Sequence, residues 1–374
     1  MQERGFPVGN LAKEKLIPDE GVLRCAHLYV GQGESTLFVI PNGSNFIFVL
    51  LDCNVDRKNR GIDLVKLLKD LLDDGDELIF INTHPHNDHL IGLKKLHDEI
   101  GFKEVWHSGH KPGKKHEGAY EELKYVIEQI GDENEFVLCG SNSDNTVRTS
   151  DKETSIIKKL GDIDYQVLSP AEYVSDDVDG EDDDTRYNRI HEMSGVIKFK
   201  YGVNLKSILH TGDSDKKAWQ DHITDYHSNS LGSEVLSASH HGSRSFFKND
   251  KDDQEPYEDH MDKIEPEYLV ISAPKQSESQ FDHPHDDAIE LYKKYVNDEN
   301  IYHLGDDRHS LFVDITSDGE ISIEKDFDLV KSYSLSENED DDPDDSEKNQ
   351  KLKAAMIMAE RAVSPKPYFN GDVS

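Results

Sequence analysis

Four side chains able to ligate a metal ion fall within six consecutive positions of the segment Thr83-His84-Pro85-His86-Asn87-Asp88-His89-Leu90-Ile91-Gly92. Imidazole and carboxylate suit zinc and other divalent ions, and this spacing cannot carry them far apart. The segment lies between a predicted strand, Glu77 to Ile81, and a predicted helix, Leu90 to Ile100. In extended chain, positions i and i+2 point the same way, so His84 and His86 can hold one ion. Asp88 and His89, where the chain turns into the helix, then face a second. Two ions about 3.5–4 Å apart would clamp a bridging hydroxide, lower the pKa of its parent water and offset charge on a phosphoryl or carbonyl oxygen. A chain with 19 histidines places some together by chance. The strand-loop-helix setting combined with this spacing nevertheless favours the metal. Further ligands should come from strand ends on the same face. Two segments offer them: Leu209-His210-Thr211-Gly212-Asp213, whose carboxylate is suited to bridging two ions, and Ser239-His240-His241-Gly242-Ser243.

A β-rich frame must position such a site, and the apolar pattern supplies one in two blocks. Leu23–Val30, Ser35–Ile40, Asn45–Leu51 and Glu77–Ile81 read as short strands separated by Gly, Pro or Asn signals, with a helix over about Gly61–Leu72. After a helix at Ala119–Ile130 come Tyr165–Leu168, Gly195–Tyr201, Lys206–His210, Val235–Ser239 and Tyr268–Ser272. A helix at Ala288–Val296, a strand at Ile301–His303 and a hairpin over Leu311–Ile323, turning at Asp318-Gly319, close the block. Two sheets with helices outside predict an α/β (α+β) fold, a four-layer αββα sandwich. Acidic runs punctuate it. Asp176–Asp184 is expected as a surface loop, Lys248–Asp262 as an exposed loop, and Glu337–Glu347 as a linker, because like charges repel and bury nothing. The expected organisation is an N-terminal extension over 1–22, one hydrolase domain over 23–330, an acidic linker over 331–350, and a short C-terminal helix and tail over 351–374. Lys351–Val363 could dock a protein partner.

Composition narrows the class. The 374 residues carry a formal net charge of −35. This argues against a protein that coats nucleic acid or binds anionic membrane through clustered Lys and Arg. The apolar stretch Phe46–Leu51 is far short of the roughly 20 residues that span a bilayer, so no membrane association is expected. Met1-Gln2-Glu3-Arg4 opens no secretory signal. Cys25, Cys53 and Cys139 are odd in number and far apart, which fits neither a disulfide framework nor a zinc ribbon. A cytoplasmic protein is expected.

Taken together, these segments resemble the metallo-β-lactamase superfamily, specifically the hydrolase domain of competence (DNA-uptake) proteins and their stand-alone relatives. Val30-Gly31-Gln32-Gly33-Glu34-Ser35 is similar to that subfamily's glycine-rich hairpin, Leu50-Leu51-Asp52 to its buried aspartate strand, and Thr83–Gly92 to the superfamily's metal motif. Ser194–Asp213 is similar to the strand pair ending in Thr-Gly-Asp, His240–Ser243 to the His-His-Gly-Ser turn, and Asp282-His283-Pro284 to the closing signature. The resemblance covers about residues 23 to 325. It implies His84 and His86 on the first ion, Asp88 and His89 on the second, Asp213 between them, and His241 on the second ion. It also implies that Asp52 hydrogen-bonds within the metal loop. His240 either orients substrate or is a packed neighbour. The third ligand of the first ion stays open: the superfamily often places a His before the Thr-Gly-Asp strand pair, which favours His191, with His107 and His110 as competitors. His283 is placed at the rim. Gly31 and Gly33 read as a tight hairpin rather than a phosphate cradle, and Trp106 and Trp219 as packing.

The resemblance implies two divalent ions, zinc or alternatively manganese, and a phosphodiesterase or nuclease acting on nucleic acid or another phosphodiester. Asp88 would hold the nucleophile, with His240 beside the substrate and Arg244 considered as a charge stabiliser. Lys111–Lys115 is the compact basic patch that could guide a phosphate backbone, against an overall field that repels one. A small-molecule ester, lactone or nucleotide hydrolase on the same fold is the first alternative, and a non-catalytic metal-binding accessory protein the second.

Overall fold

The computed structural model describes residues 10–112 and 117–336. His116, most of the Lys111–Lys115 patch, the acidic linker from 337 and Lys351–Val363 lie outside the described residues.

The chain lays down one sheet, then a second, then returns to the first. The first block gives β1 (Val22–His27), β2 (Thr36–Asn42), β3 (Asn45–Leu51), β4 (Leu78–Asn82), β5 (Glu104–His107), β6 (Glu135–Val137), β7 (Thr146–Thr149) and β8 (Ser155–Ile157). The second gives β9 (Asp164–Ser169), β10 (Val196–Tyr201), β11 (Lys206–His210), β12 (Val235–Ser237), β13 (Tyr268–Ile271) and β14 (Ile301–His303). The closing hairpin, β15 (Ser310–Thr316) and β16 (Ile321–Asp326), pairs back onto β1, with Arg24 opposite Asp314. The resulting orders are β16-β15-β1-β2-β3-β4-β5-β6-β7-β8 and β14-β13-β12-β11-β10-β9.

Side-chain alternation explains the layering. In β11 Ile208 joins the core between the sheets while Leu209 turns to the outer face. In β13 Val270 does the first, and Leu269 and Ile271 the second. Phe38 of β2 meets Phe199 of β10 with ring centroids 4.2 Å apart, tying sheet to sheet. Each such buried aromatic contributes roughly 1.5–3 kcal/mol. Outside the first sheet lies the helix Leu64–Leu71, capped by Asp63, whose side chain accepts from Lys66 N. Its Leu64, Leu67, Leu68 and Leu71 repeat at helical spacing and are buried. Helices Leu93–Ile100 and Glu117–Ile130 follow it across that face. Trp219, Met261, Ala288 and Tyr292 cover the outer face of the second sheet. The four-layer αββα sandwich is the architecture observed.

Several boundaries differ from expectation. Asp176–Asp184 is not a loop: Glu172–Asp179 and Asp183–Asn188 are short helices, with Val174 and Val178 turned inward and the carboxylates outward. Lys248–Asp262 includes the start of a helix, Asp259–Ile264, that buries His260 and Met261. Strands β6 to β8 carry too little apolar pattern to be read in advance. Helix Leu11–Leu16 buries Ala12 and Leu16, and helix Asp328–Tyr333 buries Leu329, Val330 and Tyr333, so the packed body extends past both ends of 23–330.

Strands β3 to β6 run parallel, as do β11 to β14. Their carboxyl ends deliver Asp52, Thr83–His89, Thr211–Asp213, Ser239–Gly242 and Ser272 to one rim, the usual place for a site in such sheets.

Candidate metal centre

Asp52, directly after β3, sits in left-handed backbone (φ 56°) and is fully buried. Its Oδ1 accepts from Thr83 N (2.8 Å) and Asn82 Nδ2 (2.9 Å), and its Oδ2 accepts from Thr83 Oγ1 (2.6 Å). The same Oδ2 lies 2.7 Å from His89 Nδ1. A carboxylate only accepts, so His89 carries its hydrogen on Nδ1 and turns Nε2 into the site. Thr83 spends its hydroxyl hydrogen on Asp52. Its oxygen must therefore accept from His84 Nδ1, 3.0 Å away, which leaves His84 Nε2 as a lone pair. His241 Nδ1 donates to Ser272 O (2.8 Å), with the same consequence for its Nε2. These contacts select the tautomer a metal ligand needs.

The freed atoms converge in two groups, His84, His86, His191 with Asp213, and Asp88, His89 with His241; within each, the donor atoms lie within 4.8 Å of one another. In the first, His86 Nδ1 stands 3.0 Å from His84 Nε2 and 3.2 Å from His191 Nε2. In the second, His241 Nε2 is 3.3 Å from Asp88 Oδ2. Asp213 joins the groups: its Oδ2 is 3.5 Å from His84 Nε2, and its Oδ1 is 3.1 Å from His89 Nε2 and 3.7 Å from His241 Nε2. Four donors held tetrahedrally at about 2.1 Å from one ion stand about 3.4 Å apart. The side chains thus fit a pair of divalent ions. So do the buried atoms that lack a hydrogen bond of good geometry: Asp88 Oδ1, His89 Nε2, both oxygens of Asp213 and His241 Nε2.

Protonation points the same way. Burial opposes charge on His241, but the nearby carboxylates of Asp213 and Asp88 push its pKa up to about 9. His89 is raised despite burial by Asp213 and Asp52. Asp88 is held well below the carboxylate range, burial being outweighed by the adjacent imidazoles of His241 and His89. His84 and His240 are pushed down by burial and by neighbouring histidines. Without metal, protons between carboxylate and imidazole stand where cations would, and metal binding must release them.

The local backbone is specialised for this. Asp213 N donates to Ser194 Oγ (3.0 Å), and a Cβ on Gly212 (φ 50°) would fall 2.5 Å from that hydroxyl oxygen, so only glycine allows the Thr-Gly-Asp loop to close. Gly33 has a different role from the tight turn expected. Residues 28–35 form a wide, buried connection, and a Cβ on Gly33 would lie 2.4 Å from Asp88 O, so this loop packs directly beneath the metal loop. His240 and His241 are both left-handed (φ 50° and 56°), which splays their rings to different partners.

His191 lies in the first group, whereas His107 and His110 do not. His107 Nε2 is 2.9 Å from Glu135 Oε1, and its Nδ1 accepts from Gly109 N. His110 is buried apart, its pKa pushed down to about 3 by burial. His240 Nε2 stands 3.5 Å from Asp213 Oδ2, with Nδ1 3.0 Å from Ser245 Oγ. His283 is buried, its ring 5.1 Å from that of His240. Arg244 is not free to stabilise charge through its Nε, which pairs with Asp287 Oδ1 at 3.1 Å. Sequence reasoning missed Ser272, whose carbonyl fixes His241, and Glu192. The Glu192 carboxylate accepts from Arg189 (2.7 and 3.0 Å) and Lys217 Nζ (2.9 Å) and meets His222 Nε2 (2.7 Å), pinning the residue next to His191. Its adjacency to a candidate ligand was the available signal.

Residues 67–243 match the family model of the metallo-beta-lactamase superfamily, and the chain carries a domain of that superfamily. Among solved structures it is similar to the metallo-beta-lactamase fold protein YhfI from Bacillus subtilis, at 10% identity over 82% of this chain and 100% of that one (TM-score 0.41). It is also similar to Igni18, a novel metallo hydrolase from the hyperthermophilic archaeon Ignicoccus hospitalis, at 11% identity over 81% and 98% (TM-score 0.41). No curated protein matches. The superfamily and the two His/Asp groups together support hydrolase activity and divalent metal binding. Among the described residues no helix is long and apolar enough to cross a membrane.

Proposed function

We propose that the protein is a two-metal phosphodiesterase, with nucleic acid as the first substrate class. The carrying observation is Asp213, buried, with one oxygen toward each ligand group. His84, His86, His191 and Asp213 would hold one ion, and Asp88, His89, His241 and Asp213 the other. Zinc suits this donor set, with manganese the alternative. When bound, such a pair supplies Lewis acidity to a phosphoryl oxygen and makes water nucleophilic near neutral pH. The chain's own residues do the rest. Asp88 Oδ1, buried and without a hydrogen-bond partner, is the acceptor for a proton of the attacking water. His240, braced by Ser245, faces Asp213 from the rim and is placed to orient a phosphoryl oxygen. The Gly-rich, Thr-Gly-Asp and His-His-Gly-Ser segments, similar to those of competence-type hydrolases, support a nucleic-acid substrate.

A second reading, a small nucleotide or other compact diester, is favoured by the net charge of −35 and by the pairing of Arg244 with Asp287. Incubating zinc- or manganese-loaded protein with single- and double-stranded DNA, RNA and bis-nitrophenyl phosphate separates the two. Salt-sensitive cleavage of polymer supports the first, and cleavage of the small diester alone supports the second. No cleavage of any refutes both and leaves an ester or lactone hydrolase or a metal-binding accessory role. Asp88→Asn is expected to lower turnover at least ~100-fold, the size of a general-base contribution, with the fold intact by circular dichroism. Full turnover in that variant would remove Asp88 from the mechanism.

A further inference from the structure

Beside Asp88 lies a recess of about 370 Å³, counting its mouth open to solvent. Its polar lining is dominated by amides, Gln32, Asn54, Asn87 and Gln280, and Phe281 contributes an aromatic wall. No Lys or Arg lines it. Asp56 also reaches it, but its carboxylate is occupied, accepting from Gln32 N (2.8 Å), Asn59 N (3.1 Å) and Asn59 Nδ2 (2.7 Å).

Gln32 carries the inference. It is 5% exposed, and its Oε1 accepts from Ser279 Oγ at 2.7 Å, which fixes which end of the amide faces which way. Its Nε2 is left buried without a hydrogen-bond partner in the wall of the recess. A buried donor without an acceptor is unfavourable, so this recess is built for a group that brings one. That group should also be uncharged. An anion would meet the Asp56 carboxylate with no Lys or Arg in the lining to offset it, and that carboxylate, the one a cation would seek here, is already filled by its three hydrogen bonds. It should be flat, to lie against Phe281, whose ring is 5.9 Å from that of His283 at the site's rim. A planar, neutral group with acceptor atoms along its edge, attached close to a phosphodiester, is a nucleobase. Amide side chains read such edges, and aromatic rings stack on such faces.

We propose that this recess is a nucleobase subsite that seats one base of the substrate while its phosphodiester lies at the metal centre. The ligand's identity rests on the phosphodiesterase reading; the recess itself does not. Selectivity for a neutral base explains how a chain of charge −35 can take a nucleotide substrate through a recess lined by no Lys or Arg among the described residues: the base would supply affinity and the metal ions would take the phosphate.

Two measurements on the full-length, metal-loaded protein test this. Saturation-transfer NMR with adenosine, guanosine, cytidine and thymidine reads the recess without hydrolysis; binding of at least one, lost in Phe281→Ala and in Gln32→Met, is expected. Kinetics then compare thymidine 5′-(4-nitrophenyl) phosphate with methyl 4-nitrophenyl phosphate, which share a leaving group and differ only in the nucleoside. The preference in kcat/KM for the thymidine ester should fall at least fivefold in Phe281→Ala, the size of a lost base stack. An equal fall on both esters, or no nucleoside bound by the wild type, overturns the subsite. If the wild type cleaves neither ester yet binds a nucleoside through Phe281, the phosphodiesterase reading fails and the subsite stands.

Discussion

In the group of Asp88, His89 and His241, each imidazole is fixed through its far nitrogen by a fully committed partner, Asp52 for His89 and the Ser272 carbonyl for His241. All of it is buried. In the group of His84, His86 and His191, Thr83 braces His84 in the same way. His191 arrives from the acidic helices at the edge, its side chain 22% exposed, held through neighbouring Glu192 rather than through its own ring. One half of the centre is therefore set by the sheet rim and the other is closed by a peripheral segment. On the two-metal reading, the expectation is unequal affinity, with the tighter ion at Asp88, His89 and His241.

The strongest way to break that asymmetry is to remove what both halves share. Asp213→Asn should cost both ions and lower turnover about 1000-fold or more, since one carboxylate serves both groups; elemental analysis after gel filtration reads the loss. Retention of two ions per chain would mean that Asp213 does not bridge. Asp52→Ala acts next. It leaves His89 unpaired and its tautomer unset, so affinity at the tighter group should fall about 10–100-fold. Stepwise release to a chelator would then become a single step, and unchanged two-step release would refute the ranking.

The centre is legible in sequence only where its parts are local. His84, His86, Asp88 and His89 need one turn of chain, and Asp213 and His241 end recognisable strands. The open choice among His191, His107 and His110 could not be closed by spacing, because what separates them is long-range: Glu135 occupies His107, while Glu192 with Lys217 and His222 draws the chain beside His191 inward. Arg244 misled for the same reason, its partner Asp287 lying 43 residues on. The run Asp176–Asp184 read as loop because charge count hides periodicity, yet Val174 and Val178, four residues apart, suffice to seat a helix against Met193. Strands β6 to β8, three or four residues long, are set by pairing with neighbours rather than by their own sequence.

The backing of the tighter group should also have an acid limit. Glu34 reaches His210 Nε2 (3.2 Å) and Thr36 Oγ1 (3.3 Å), and Thr36 in turn meets His27, all buried between the sheets. Burial alone would raise the Glu34 pKa, but the charge and hydrogen bond of His210 reverse this and bring it down to about 2. His27 is pushed down to about 4, chiefly by burial. Both shifts are depressions. His27 therefore contributes stability above its ordinary value of 6.5 that is lost as pH falls toward about 4. Glu34 does the same from 4.5 down to about 2. Each step is worth about 3 kcal/mol at full extent. Denaturant unfolding of metal-free protein across this range should show both, and Glu34→Gln should flatten the lower one; an unchanged lower step would assign it elsewhere.

The smallest effect sharpens the comparison most. Glu192 touches no donor atom of the centre, so Glu192→Gln should leave the tighter group alone and weaken the other about threefold to tenfold, below the range for a partner bonded directly to a ligand ring. A merely structural role would lower both affinities together through general loosening. Calorimetric titration of the metal-free variant distinguishes these, because only the weaker of two resolved binding steps should shift. Arg189 and Lys217 would lose part of their shared acceptor, so stability should also fall, and Lys217→Ala provides the control: it removes one contact to Glu192 while leaving the bidentate Arg189 pair in place. If Lys217→Ala shifts the weaker step as much as Glu192→Gln does, the clamp works through the charge of the whole cluster. If only Glu192→Gln shifts it, the Arg189 pair alone sets the position of His191.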